Sequence, residues 1–234
     1  MAAIQHIFSD PEALAAAFVA DFFASLPQQG KVCIALSGGS TPKLLFQHWA
    51  SHFPDHPDWQ RIHFFWGDER CVPPDHADSN FRMTQELLLD PLGISPMQVH
   101  RIRGEAEPGG EARRYAAEIA AHVPLVNGWP VFDLIMLGMG DDGHTASIFP
   151  DQLALLTSEE ICAVATHPQS GQQRVSLTGK VLNAARQVAF LITGAGKAAV
   201  LRDVLNHSGE WRRYPASYVK PAGSLCFYMD AAAS

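Results

Sequence analysis

A mostly parallel β-sheet flanked by helices on both faces is the fold this sequence predicts, and three observations predict it. Short, near-continuous apolar runs such as "KVCIALS" (31–37) and "VAFLIT" (188–193) read as strands buried on both sides. Helix-like segments separate these runs in regular alternation. Four of the runs exit into polar, glycine-rich loops, as strands do at the ligand-binding edge of an open α/β sheet.

Each element follows from local chemistry. The stretch 1–26 is apolar, but it lacks a basic leader and is interrupted by Asp10, Glu12 and Asp21, so it does not read as a signal peptide. Asp10 and Pro11 read instead as an N-cap and a first-turn proline, with Leu14, Phe18 and Phe22 on one helical face. The first strand is expected by about residue 31, followed by a helix over 42–52. A strand over 61–66 precedes a helix over 79–89, and "EARRYAAEIAAHV" (111–123) reads as a further helix. Strands over 131–138, 161–166, 174–178, 188–193 and 224–230 follow, with helices over 179–187 and 197–207. "FPDHPD" (53–58) and "EAEPGGEA" (105–112) are turn-rich loops, not domain boundaries.

The chain has 234 residues, 47% of them hydrophobic, which is enough for one sizeable core. One domain over 1–234 is expected, with a small lobe from about 150–180. The net charge of −7 and the absence of Lys/Arg runs argue against nucleic-acid binding. A small anionic substrate stays compatible, because a few local cations and amides can outvote the average. Cys33, Cys71, Cys162 and Cys226 form no CxxC, and three of them sit in apolar runs, so neither a disulfide framework nor a zinc site is expected. No stretch is long enough to span a membrane. The expectation is a soluble cytoplasmic protein whose oligomeric state the sequence does not fix.

Chemistry collects in the four loops. In "SGGSTP" (37–42), Gly38 and Gly39 allow close backbone approach, and Ser40, Thr41 and Pro42 open a helix whose N-terminus suits an anion. An ordinary strand–turn–helix connection would use the same residues. "GDER" (67–70) offers Asp68 and Arg70, either for a substrate or as a surface ion cluster. "GAGKAAV" (194–200) fails the P-loop pattern at Leu191 and Ala198. Lys197 opposes the helix dipole there, so it reads as awaiting an anion or as a solvated lysine. In "DDGH" (141–144), Asp142 stands two residues before His144. A carboxylate on one imidazole nitrogen fixes the tautomer and leaves the other nitrogen free to take a proton. A capping aspartate beside a structural histidine is the alternative. Of eleven histidines, His48, His52, His56 and His76 read as bystanders. There is no GxSxG, no HExxH and no clustered His/Cys set, so no serine nucleophile, metal or other cofactor is expected.

Together, "ALSGGSTP" (35–42), "WGDERCVPPDHADSNFRM" (66–83), "LGMGDDGHTASIFP" (137–150), "RVSLT" (174–178) and "GAGKAAVL" (194–201) resemble the 6-phosphogluconolactonase family, in the family's order and over about residues 10–230. The resemblance implies the α/β fold shared with glucosamine-6-phosphate deaminase and ribose-5-phosphate isomerase. It implies hydrolysis of 6-phosphoglucono-1,5-lactone in the oxidative pentose phosphate pathway. His144 would be the general base and Asp142 its orienting partner. Gly38, Gly39, Ser40 and Thr41 would surround the substrate, and Arg174 and Lys197 would meet its phosphate. Asp68, Arg70 and Asn80 would line the sugar end or position His144. Two other readings share the fold. A sugar-phosphate isomerase or deaminase would carry an acid after the third loop's histidine, where this chain has Thr145, Ala146, Ser147, Ile148 and Phe149. A non-catalytic sugar-phosphate sensor would carry a DNA-binding module, for which the segment before the first strand has no room.

Overall fold

The computed structural model describes residues 3–234. The chain runs β1 (Ile4–Phe8), α1 (Pro11–Ser25), β2 (Val32–Leu36), α2 (Ser40–His52), β3 (Ile62–Trp66), β4 (Asp68–Arg70), α3 (Asn80–Thr84) and α4 (Pro108–His122). It continues through β5 (Leu125–Val126), β6 (Trp129–Pro130), β7 (Leu134–Leu137), β8 (Cys162–Thr166), β9 (Gln173–Leu177), α5 (Gly179–Ala184), β10 (Gln187–Ile192), α6 (Ala198–Asn206) and β11 (Ser224–Asp230).

Six strands form one parallel sheet in the order β1-β11-β10-β7-β2-β3. The inner strands β2 and β7 are buried along their whole length, and β10 and β11 along all but their first residues, as the unbroken apolar runs require. Helices flank the sheet, and the predicted fold class stands. A second sheet, β4-β9-β8, is antiparallel and packs against α4. β5 and β6 form a short hairpin.

Differences from the sequence reading have local causes. The first strand begins at Ile4, not near residue 31. β1 is a sheet edge whose Ile4 and Ile7 stay exposed, so its pairing with β11 leaves no burial pattern in the sequence. The helix expected over 79–89 is a short α3 followed by a π-helical turn over Gln85–Leu89. The triplet Asp68–Arg70, read as a loop, is a strand because β9 pairs with it. By contrast, Asp10 caps α1 as expected, its carboxylate accepting from the Ala13 N–H at 2.8 Å.

Parallel pairing puts the carboxyl ends of β2, β3, β7 and β10 at one edge, which gathers all four polar loops there. Tyr115 of α4 braces that edge. Its hydroxyl accepts from Trp66 N–H at 2.8 Å and donates to Trp66 C=O at 3.0 Å, at the last residue of β3. The ring is fully buried. Tyr115→Phe strands two buried backbone groups, and the expected loss of stability is about 1–3 kcal/mol, read by urea denaturation with an unchanged m-value.

Candidate active site

The four loops enclose a cavity of about 210 Å³. Of the residues singled out from sequence, Gly38, Asp68, Arg70, Asn80, His144, Arg174 and Lys197 line it. Asp142 stands behind His144. Gly39, Ser40 and Thr41 do not line it; Thr41 is buried, and its hydroxyl lies 2.9 Å from that of Thr193.

His144 and Asp142 form a dyad. Nδ1 of the imidazole is 2.6 Å from the Asp142 Oδ1, which also accepts the His144 backbone N–H at 3.1 Å. This pairing assigns the Nδ1 proton to the Asp142 side and leaves Nε2 with a lone pair when the ring is neutral. Partial burial opposes ionisation of Asp142, but the hydrogen bond and charge of His144 outweigh it and hold the carboxyl down at about 2. Gly140 makes room for the pair: a Cβ there would overlap both the His144 ring and the Asp142 carboxylate.

The pairing of β4 with β9 builds the opposite wall. Arg70 stands directly across from Arg174, so two guanidinium side chains share one face of the small sheet. Like charges placed opposite each other in a sheet repel. Asp68 offsets this only in part: its carboxylate is 3.9 Å from Arg174 Nη1 and accepts from the Ser147 hydroxyl at 2.5 Å. Arg70 Nη1 donates to the Asp78 carbonyl at 2.6 Å. Nε of Arg70, Nε of Arg174 and the Ser37 hydroxyl are buried and find no partner among the described residues. Lys197 stands at the N-cap of α6 and forms an ion pair with Asp141.

Strand alternation sends Glu69 the other way, into the start of α3. Its carboxylate accepts from the N–H groups of Asn80 at 2.8 Å and Phe81 at 2.7 Å, and from the Ser79 hydroxyl at 3.0 Å. Burial pushes the Glu69 carboxyl up, and the backbone amides of Asn80, Phe81 and Arg70 oppose that rise. Asn80 is fixed at the cavity, donating from Nδ2 to the Asp68 carbonyl at 3.0 Å. A Cβ at residue 38 would overlap the Asn80 amide, so glycine is required there by space, not by φ.

Sequence reasoning missed Ser147, Glu69 and the spatial role of Gly140. Ser147 was weighed only as a position lacking an acid, yet it holds Asp68 and lies 3.4 Å from Arg174 Nη1. Its segment is bent by Ala146, whose φ of +47° is in the left-handed region.

A model of the family "Glucosamine-6-phosphate isomerases/6-phosphogluconolactonase" matches residues 10–227. The chain belongs to that family. It is 50% identical to the 6-phosphogluconolactonase of Treponema pallidum over 200 residues, covering 86% of this chain and 83% of the relative. It is 45% identical to the 6-phosphogluconolactonase of Haemophilus influenzae, covering 86% of each. Among solved structures, the 6-phosphogluconolactonase of Trypanosoma brucei superposes with a TM-score of 0.84 at 30% identity, over 99% of this chain and 97% of that one. The family spans isomerases and lactonases, and these relatives are all named lactonases.

A carboxyl held at about 2, against its usual 3.8, adds stability that is complete above 3.8 and lost as the pH falls through 2. In His144→Gln the Asp142 midpoint should rise toward 3.8 in a ¹³C NMR titration. An unmoved midpoint would remove His144 as its cause.

Proposed function

We propose that the chain hydrolyses 6-phosphoglucono-1,5-lactone to 6-phosphogluconate in the oxidative pentose phosphate pathway, with His144 as general base. The observation that carries the chemistry is an imidazole held at Nδ1 by a carboxylate, at a cavity whose far wall carries two facing guanidinium groups. The names of the curated relatives supply the substrate class.

The route is short. A δ-lactone is an activated ester, so water suffices as nucleophile once a base removes its proton. His144 Nε2 takes that proton as the water oxygen bonds to the carbonyl carbon. Asp142 stabilises the imidazolium that forms. The tetrahedral adduct collapses, the ring C–O bond breaks, and His144 returns the proton to the departing oxygen. One water is consumed, and the product is the open hydroxy acid. Arg70 and Arg174, with Lys197 beside them, attract the phosphate and hold the lactone in place, so binding remote from the carbonyl supplies orientation. Gly38 and Asn80 close the sugar end. Gly39, Ser40 and Thr41 contribute the helix start behind that wall.

No helix among the described residues is long and apolar enough to cross a membrane. All four cysteines are free, which suits the reducing cytoplasm that this reading implies.

The test couples glucose-6-phosphate dehydrogenase, which makes the lactone, to measurement of lactone decay above spontaneous hydrolysis. His144→Ala should lower kcat/KM by about 10²–10⁴-fold with an unchanged circular dichroism spectrum. Near-wild-type decay in that variant overturns the assignment. Ammonia release from glucosamine 6-phosphate would favour the deaminase reading instead.

A further inference from the structure

His100, Glu118 and His122 carry ligand atoms within 4.8 Å of one another, the one such group of three among the described residues. Glu118 and His122 lie one turn apart on α4 and so share a helix face. His100 comes from the segment beside β3, where its N–H donates to the Phe64 carbonyl at 2.9 Å. No spacing motif announces the set, because the fold assembles it from two separate segments.

Inside the cluster, Glu118 Oε1 is 2.7 Å from His100 Nδ1 and 3.6 Å from His122 Nδ1. The two imidazole rings are 4.3 Å apart between centroids, and His122 Nδ1 donates to the Glu118 backbone carbonyl at 2.9 Å, which leaves its Nε2 free to ligate. The His100 side chain is only 5% exposed, whereas Glu118 is 31% and His122 38% exposed. A cavity of about 580 Å³ is lined by His100 and Glu118 and gives both a route in and room for a water ligand. On its far side, His100 Nε2 is 2.9 Å from His63 Nδ1. A metal-bound histidine needs such an acceptor for its other ring N–H. Two cations face the cluster: Arg114, whose Nη1 is 3.5 Å from Glu118 Oε2, and Lys31, whose charge acts on His100 and His63. Arg114 is held by Glu111 at 2.6 Å and faces the other carboxylate oxygen, so Oε1 stays with His100.

We propose that this cluster is a divalent-metal site that takes zinc through His100, His122 and Glu118, with a fourth position for water. Two imidazoles and one carboxylate with an open position are a set zinc accepts. Without metal, His100 donates from Nδ1 to Glu118 and accepts at Nε2 from His63. Metal binding reverses this chain. His100 Nδ1 becomes the ligand, its proton moves to Nε2 and points at His63 Nδ1, and the proton of His63 Nδ1 moves to the outer Nε2. No net proton need leave the pair. The ion then ties the last turn of α4 to the segment flanking β3, and by mass action it stabilises the folded chain.

The test is calorimetric titration of the tag-free, chelator-stripped full chain with Zn²⁺, with Co²⁺ in parallel as a visible-absorption probe. The expected result is one ion per chain, a melting temperature that rises with zinc, and Co²⁺ bands of low-coordinate nitrogen and oxygen ligation. Glu118→Gln and His122→Gln should each bind at least about tenfold more weakly and keep full activity on the lactone. His144→Ala should bind zinc as the unaltered chain does. Absence of one-to-one uptake, uptake that survives in both Glu118→Gln and His122→Gln, or uptake lost in His144→Ala each overturns the proposal. Should Glu118→Gln fail to fold, His122→Gln at the more exposed ligand decides alone.

Discussion

The backbone of Gly67 couples the two sheets on which the site is built. Its N–H donates to the Leu36 carbonyl at the end of β2, and its carbonyl accepts from the Leu177 N–H at the end of β9, both at 2.8 Å. The chain therefore leaves β3 still bonded to the large sheet and enters β4 already bonded to the small one. The dyad hangs from the first sheet and the arginine pair from the second. Their separation across the cavity is set by this peptide link, by Tyr115, which grips the residue just before it, and by Ser147, whose hydroxyl ties the loop after β7 to Asp68 of β4.

Much of this arrangement was legible because it is local. Apolar runs named the inner strands, and their glycine-rich exits named the edge at which ligands bind. The Asp142–His144 pair is two residues apart, so a tight turn was enough to predict the contact found at 2.6 Å. What escaped is non-local. Nothing near Arg70 states that Arg174 lies opposite; that follows from antiparallel register between segments about a hundred residues apart. Ser147 and Asp68 are likewise far apart in sequence, whereas Glu69 reaches the start of α3 across an irregular loop of about ten residues that carries no spacing signal. β1 escaped for another reason: an exposed edge strand leaves no pattern of burial to read.

Charge is organised against the average. A chain of net charge −7 concentrates Arg70, Arg174 and Lys197 at one small cavity, with Asp68 among them. Local placement, not composition, sets what such a protein attracts. Glu69 serves a different end. Its buried carboxylate turns away from the cavity and satisfies the amide groups that begin α3, which keeps Asn80 in place.

The pairing of Lys197 with Asp141 bears on selectivity in the resting protein. The ammonium is tied to a carboxylate that is 76% exposed. A tethered counter-ion of this kind acts as a threshold. Under the proposed function, a doubly charged phosphate also held by the arginine pair would displace this carboxylate more readily than a monovalent anion would. Asp141, already mostly in water, would be released at little cost, and the exchange would swap one ion pair for another instead of leaving a bare cation between turnovers.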